Sequence, residues 1–481
     1  MGRVTSPSVA PTGLYLDGQW ITDRTLLGVR SPYDQSTVGA VAQATRGDAE
    51  AAIAAAVRAF EVTRKLPNYE RQRVLRRMAE LITAQRDELA RTLALEAGKP
   101  IKTARAEIER AAFTFSVAAE EATRIEGEYL PLDLQEFAQG RWGLLRRFPI
   151  GPILGITPFN FPFNLVGHKV APAIAAGCPI IIKPASQTPM SALNVARIAE
   201  EAGWPAGALN VLPMPNEDAA VLVRDDRLKM LSFTGSAEVG WRLKAEAGRK
   251  RVTLELGGNA GVIIHSDADL EYAAARCAVG GFSYAGQSCI SVQRILVERP
   301  VLDQFLAAFV PKVKALKTGD PLDERTDVGP LIRPADAERI EQWVNEAVAA
   351  GAQVLCGGKR HGSVYEPTVL VHTQPAMKVN CMEVFAPLVT VEPYDSFEEA
   401  LRRVNDSPYG LQAGLFTRDA ARIFRAYEEI EVGGLMVGEV PTFRIDHMPY
   451  GGTKDSGLGR EGLRWAIEEM TEPKLLMMNL R

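Results

Sequence analysis

The sequence predicts an α/β protein built from two blocks of alternating strands and helices, with a small β excursion between them and the N-terminal helices. Between residues 149 and 265, short continuous apolar runs alternate with helical periodicity, the pattern of a parallel sheet covered on both faces. A second alternation of the same kind runs from residue 267 to about 437. At 481 residues the chain is also too long for one simple core.

Taken in order, residues 1–46 are turn-rich, with a short strand pair around 14–22. Residues 48–60 are Ala-rich with helical spacing, and Asp48 is placed to cap them. A long amphipathic helical region spans 68–97 and is stopped by Gly98 and Pro100; a further helix covers 101–124. Residues 129–145 read as extended strands forming an arm. The first block then has strands at 153–157, 179–183, 209–212, 230–233 and 252–256, with helices at 166–176, 191–202, 217–223 and 236–247. The second has strands at 294–297, 368–371, 389–391, 413–416 and 434–437, with helices at 301–316, 334–350 and 397–404. The apolar run at 474–480 would aggregate if left bare, so it is expected to join another sheet, a partner subunit's among the candidates.

Bulk properties exclude several classes. Hydrophobic residues make up 46% and charged residues 24%, ordinary for a soluble globular protein. A formal charge of -4 provides no basic field for nucleic acid. No apolar run reaches membrane-spanning length, and the first residues lack a signal peptide's apolar segment. Gly2 and Ser6 fit a loose myristoylation pattern, read here as accidental. Five cysteines, odd in number and without CxxC spacing, form neither a disulfide framework nor a metal site, and point to a reducing cytoplasm.

One cysteine stands apart. Cys289 ends Gly286-Gln287-Ser288-Cys289, a small-residue turn that is poor core material, whereas Cys178, Cys277, Cys356 and Cys381 read as buried apolar residues. Glu255 sits inside a strand-like run, where it serves either as an ion pair or as a base with a raised pKa. A thiol and such a carboxyl suit covalent catalysis at a carbonyl. Phe233-Thr234-Gly235-Ser236 follows a strand and opens a helix, which suits a pyrophosphate but also an ordinary turn. Asn160 follows the first strand of the block, as an oxyanion donor or simply a turn former.

Together and in order, seven stretches resemble the aldehyde dehydrogenase superfamily along nearly the whole chain. They are Pro158-Phe159-Asn160-Phe161-Pro162, Lys183-Pro184-Ala185, Phe233-Thr234-Gly235-Ser236, Leu254-Glu255-Leu256-Gly257-Gly258, Gly286-Gln287-Ser288-Cys289, Glu383-Val384-Phe385-Ala386-Pro387 and the glycine-rich run from Pro449 to Gly457. The resemblance implies a Rossmann-like NAD(P)-binding domain (1–124 and 147–257), an α/β catalytic domain (258–455) and a β oligomerisation arm (125–146 and 466–481). It implies oxidation of an aldehyde to its acid, with Cys289 as nucleophile, Glu255 as base and Asn160 as oxyanion donor. The implied cofactor residues are Thr157, Pro158, Lys183, Ser186, Phe233, Gly235, Ser236, Leu256, Gly257, Glu383 and Phe385. Ser186 stands where NAD-preferring members often carry a glutamate, so NADP is expected to be accepted beside NAD. Leu212-Pro213-Met214-Pro215 and Gly438 depart from the family pattern without touching the core chemistry.

By position, Phe161, Leu165, His168, Ser288, Ile290, Thr442, Arg444 and Tyr450 are expected to line the substrate tunnel, with Arg110 nearby. His168, Arg110 and Arg444 suggest a small hydroxylated or anionic aldehyde of the lactaldehyde, semialdehyde or glyceraldehyde 3-phosphate type; equally, Arg444 pairs with a neighbour such as Asp446. Competing readings are a CoA-acylating dehydrogenase, disfavoured by Glu255, and a non-catalytic protein on the same fold. The expected partners are a small aldehyde and further copies of the chain, as homodimer or homotetramer, with no metal, membrane or nucleic acid.

Overall fold

The computed structural model describes residues 12–479, so the pattern at Gly2 and Ser6 lies outside the described residues. Strands β1 (Ile153–Ile156), β2 (Ile180–Lys183), β3 (Leu209–Val211), β4 (Met230–Thr234) and β5 (Arg251–Glu255) lie parallel in the order β3-β2-β1-β4-β5. The near-continuous aliphatic sequence of β1 and β2 follows from burial on both faces. The order reverses between β1 and β4, which opens a crevice beyond their carboxyl ends. The hairpin Leu14–Leu16 and Gln19–Ile21 joins one edge antiparallel, and Gly457–Leu458 joins the other.

The second sheet comprises β6 (Ala260–Ile264), β7 (Val292–Glu298), β8 (Gln353–Cys356), β9 (Thr368–Val371), β10 (Leu388–Tyr394), β11 (Gln412–Phe416) and β12 (Gly434–Val437), in the order β8-β9-β10-β7-β6-β11-β12. Strand β8 runs antiparallel to β9, and the other pairs are parallel. No helix among the described residues is long and apolar enough to cross a membrane.

Several local expectations need correction. The first helix is Arg46–Thr63, and its cap is Thr45; Asp48 is the reciprocal partner in a capping box, its carboxylate accepting from the Thr45 amide at 2.8 Å. The 68–97 region is two helices, Asn68–Ala84 and Arg86–Ala97, broken at Gln85 (φ -100°, ψ 15°). Both halves pack on α1 (Ile101–Glu121), which one straight helix would not wrap. Residues read as turns contain a hairpin of Leu26–Arg30 and Thr37–Ala42, a short two-stranded ribbon that buries Val29, Val41 and Ala42. The wholly buried β6 was overlooked beside the loop Gly257-Gly258-Asn259. The last strand, Thr471–Asn479, pairs along its whole length with the chain's own arm strand Arg141–Pro149, which also pairs with Glu128–Pro131. Leu475, Leu476 and Met477 nevertheless stay 49%, 55% and 51% exposed.

A buried ion pair ties the helical layer to the crevice. The Lys99 side chain is inaccessible and its ammonium pairs with Glu107 of α1. The other Glu107 oxygen accepts from the amides of Phe163 and Asn164, both at 3.1 Å, at the start of α2 (Asn164–Ala176). Lys99 Nζ also lies 3.7 Å from the ring centroid of Phe161 and 4.2 Å from that of Tyr284. Burial favours the neutral amine, and the Glu107 charge opposes it. Lys99→Met is expected to strand the Glu107 carboxylate and cost about 3–5 kcal/mol, measured as a fall in the urea midpoint; an unchanged midpoint would refute the role given to this pair.

Candidate active site

The carboxyl ends of β1, β4 and β5 emerge side by side. Ile156 is level with Phe233, and Thr234 with Glu255, so Thr157-Pro158, Gly235-Ser236 and Leu256-Gly257 leave the sheet at one edge. Cys289 approaches from the second sheet, ahead of β7. Helix α4 (Leu270–Phe282) ends there, and Tyr284 (φ 49°), Ala285 (φ 53°) and Gly286 (φ 67°) follow in left-handed conformations. A glycine is required at 286, because a Cβ would come within 2.1 Å of the Ala386 oxygen. The strained turn is pinned at several points. Tyr284 donates its hydroxyl to the Ala97 oxygen at 2.9 Å, and Gln287 accepts from the Ile332 amide at 2.9 Å.

These segments enclose one cavity of about 420 Å³. Cys289, Asn160, Glu255, Pro158, Gly235, Ser236, Leu256, Gly257, Glu383, Phe385, Phe161, Arg110 and Arg444 line it, together with Leu165, Ser288, Ile290, Thr442 and Tyr450. Thr157, Lys183, Ser186, Phe233 and His168 do not. Phe159 and Phe385 meet edge to face across the cavity, with centroids 5.9 Å apart.

Cys289 is half-buried, and its Sγ lies 3.0 Å from the Tyr450 hydroxyl. Burial pushes the thiol up to about 11; the Tyr450 hydrogen bond and Arg444 counteract this, and Glu383 and Glu255 reinforce it. Asn160 donates its amide to the Gln287 carbonyl at 3.0 Å, and its Oδ1 is buried without a partner. Both Glu255 oxygens are likewise buried without a hydrogen bond. Burial first, then the Glu461 carboxylate, drives the Glu255 pKa well above its ordinary value, against the pull of Arg444 and Lys169.

Behind Glu255 lies a charged cluster. Glu461 accepts from Lys169 at 3.1 Å and from Arg444 at 3.2 Å, and these cations hold it ionised despite burial. Asp446 accepts from both nitrogens of a forked Arg110 contact at 2.6 and 2.9 Å and touches His168 Nε2 at 2.7 Å; these partners keep its pKa far below the carboxylate range. His168 thus sits behind the wall, under Asp446 and 3.4 Å from Arg444, with burial favouring its neutral form. Arg444 divides its contacts: Glu461 is its hydrogen-bond partner, Asp446 is 3.8 Å from its Nε, and its guanidinium lies 3.6 Å over the Tyr450 ring. Of the two sequence alternatives for Arg444, wall residue and ion-pair member, both hold at once. Lys169, Glu461 and the Tyr450–Cys289 contact were not read from sequence. For Lys169 a signal existed, a lysine inside a helix with no other Lys, Arg, Asp or Glu; Glu461 had none.

The residues expected to hold the cofactor divide along the crevice. Lys183 lies at the end of β2 with its amine on Asn216, and burial lowers its pKa to about 8. Ser186 is half-buried in the loop after β2. Gly235 and Ser236 open α3 (Ala237–Glu246), whose Ser236 cap makes no side-chain hydrogen bond. Glu383 accepts from the Gly258 amide at 2.9 Å, and burial raises its pKa to about 7. Gly257 leaves room for this carboxyl, since a Cβ there would stand 2.5 Å from Glu383 Oε2. A crevice at the reversal of strand order, ending on an uncapped helix start, with a lysine at the end of β2, fits a dinucleotide.

The aldehyde dehydrogenase family model matches residues 20–476. The chain is 45% identical to the 3-sulfolactaldehyde dehydrogenase of Priestia megaterium, over 97% of this chain and 98% of that protein. It is 44% identical to the crystal structure of aldehyde dehydrogenase 21 from Physcomitrella patens in complex with the reaction product succinate, with a TM-score of 0.96 and coverage of 98% and 99%. It is 39% identical to the glyceraldehyde-3-phosphate dehydrogenase GapN of Methanocaldococcus jannaschii complexed with NADP, with a TM-score of 0.92 and coverage of 95% and 100%.

The Glu255 environment makes a stability prediction. In the unfolded chain Glu255 ionises near its ordinary value of 4.5, whereas the folded chain retains the proton to higher pH. Its contribution is therefore complete below pH 4.5 and is lost as pH rises through the folded value. Glu255→Gln removes this loss, so its stability relative to the parent should increase between pH 5 and pH 8 by more than about 1 kcal/mol. Denaturant titrations at the two pH values measure this; a constant difference would show that Glu255 ionises freely.

Proposed function

The chain belongs to the aldehyde dehydrogenase family, and on that premise we propose that it oxidises a short aldehyde bearing an anionic or hydroxyl group, releasing the acid by hydrolysis with NADP or NAD as acceptor. The observation that carries this reading is the convergence of a thiol, an amide donor and an unpartnered carboxyl on one cavity whose wall includes Arg110 and Arg444. Cys289 Sγ attacks the aldehyde carbon. The Asn160 amide and the Cys289 backbone N–H receive the oxyanion. NADP or NAD, when bound, supplies the acceptor for the hydride that leaves this carbon. Glu255 then takes a proton from water, which attacks the Cys289 thioester and frees the thiol and the acid. A carboxyl with a raised pKa suits that step, because it accepts a proton without remaining a permanent charge beside the thiolate.

Thr157, Pro158, Lys183, Ser186, Phe233, Gly235, Ser236, Leu256, Gly257, Glu383 and Phe385 would hold the dinucleotide. The serine at 186 offers no carboxylate against a 2'-phosphate, which supports use of NADP. The substrate end carries an excess of positive charge. Arg110, Arg444 and Lys169 face Asp446 and Glu461, while Glu255 is held towards its neutral form. Such a wall favours a sulfonate, carboxylate or phosphate, the anionic groups named or implied for the relatives above. In this reading His168 positions Asp446 rather than touching substrate. Residues 1–124 with 147–257 bind the cofactor, 258–455 carry the nucleophile, and 125–146 with 466–481 form the arm. The exposed apolar side chains on that arm support a homodimer or homotetramer, working in the cytoplasm.

A panel of aldehydes tested with NADP and NAD, with and without CoA, checks this reading. Turnover should be highest with short anionic or hydroxylated aldehydes, independent of CoA; a CoA requirement or a preference for apolar aldehydes would overturn it. Cys289→Ala should abolish turnover, and Glu255→Gln should retain a burst of reduced cofactor while slowing the steady state. Arg110→Gln should lower kcat/KM for anionic aldehydes about tenfold or more while sparing neutral ones, read from paired steady-state assays.

A further inference from the structure

We propose that Tyr450 is a catalytic residue of this enzyme, its hydroxyl donating the hydrogen bond that supports the Cys289 thiolate. The inference rests on the reading of Cys289 as the nucleophile. The phenol oxygen lies 3.0 Å from Sγ, and this is its hydrogen bond among the described residues. Its place is rigidly set. The Tyr450 amide donates to the Glu461 oxygen at 3.0 Å, and the Glu461 amide returns a bond to the Tyr450 oxygen at 2.6 Å. Tyr450 clusters with Ile290 and Leu411, and Cys289 packs against this cluster.

The surroundings make the donor matter. The groups facing Sγ are Glu255 from the end of β5, Glu383 from the loop before β10, and Arg444 and Tyr450 from the segment after β12. The two carboxyls and burial oppose ionisation of the thiol; Arg444 and the tyrosine hydroxyl favour it. Arg444 also acts on the donor itself, its guanidinium 3.6 Å over the phenol ring. A cation on the ring face stabilises electron density drawn from the hydroxyl, which strengthens its hydrogen bond to an anion. Tyr450 thus offers Cys289 a neutral donor that adds no charge repelling or trapping an anionic substrate, and Arg444 acts partly through it as a positioning residue.

Tyr450→Phe tests this, because it keeps the ring on Arg444 and removes one oxygen. The rate of Cys289 alkylation by iodoacetamide is measured from pH 6 to pH 10 on the full-length parent and the variant, with the modified residue identified by mass spectrometry. Across this range the thiolate-dependent rate should be roughly tenfold lower in the variant at each pH, as for an ionisation displaced upward by about one pH unit. The kcat for the best aldehyde should fall in parallel while KM stays within about twofold. An unchanged alkylation profile would overturn the proposal while leaving Cys289 as nucleophile intact. If alkylated parent enzyme kept its activity, the nucleophile assignment and the proposal would fall together.

Discussion

The pairing of Lys99 with Glu107 is the contact on which the geometry of the crevice depends. Neither charge reaches water, so the pair persists only because each finds several partners. The ammonium has a carboxylate and two aromatic faces; the carboxylate has an ammonium and two amides. Those partners belong to different parts of the fold. Phe161 and Phe163 bracket the turn after Asn160, and Tyr284 begins the left-handed turn that delivers Cys289. Asn160 and Cys289, carried by separate sheets, are therefore referred to one buried charge.

Four carboxyls at or near the cavity have four different environments, and these sort their protonation. Asp446 and Glu461 face cations and stay ionised. Glu383 has one amide donor and is raised to about 7. Glu255 has no donor at all and is raised well above its usual value by burial and the Glu461 charge. Residue type alone would not distinguish them. Ionised groups build the wall, and the group left without partners is free to exchange protons.

Much of this was legible in the primary structure, for identifiable reasons. Strands β1 and β2 are plain in the sequence because burial on both faces leaves an apolar run, and β3 to β5, which carry Asn210, Ser232 and Thr253, follow from the alternation with helices. Cys289 was visible because small residues surround it, and Gly286 because its turn admits nothing larger. What escaped notice depends on long-range pairing. Glu461 becomes part of the site only when its segment folds back on Lys169, and Tyr450 meets Cys289 across a large gap in sequence. His168 looked like a tunnel residue because its helix approaches the cavity, yet its ring turns to Asp446. At short range, Asp48 was misjudged by one helical turn, since the cap and its reciprocal partner are both good hydrogen-bonding residues.

The pairing of Thr471–Asn479 with Arg141–Pro149 bears on how the chain is born. The arm strand leaves the ribosome more than three hundred residues before the strand that completes its sheet, and Arg444, Tyr450 and Glu461 also follow late. At a synthesis rate of roughly 5–20 residues per second, the arm waits on the order of tens of seconds with an unpaired edge. The charged side chains Arg141, Arg146 and Arg147 along that strand are suited to this interval, keeping a nascent edge from meeting the wrong neighbour. The same strand is thus written for two audiences, the finished sheet and the crowded environment of translation.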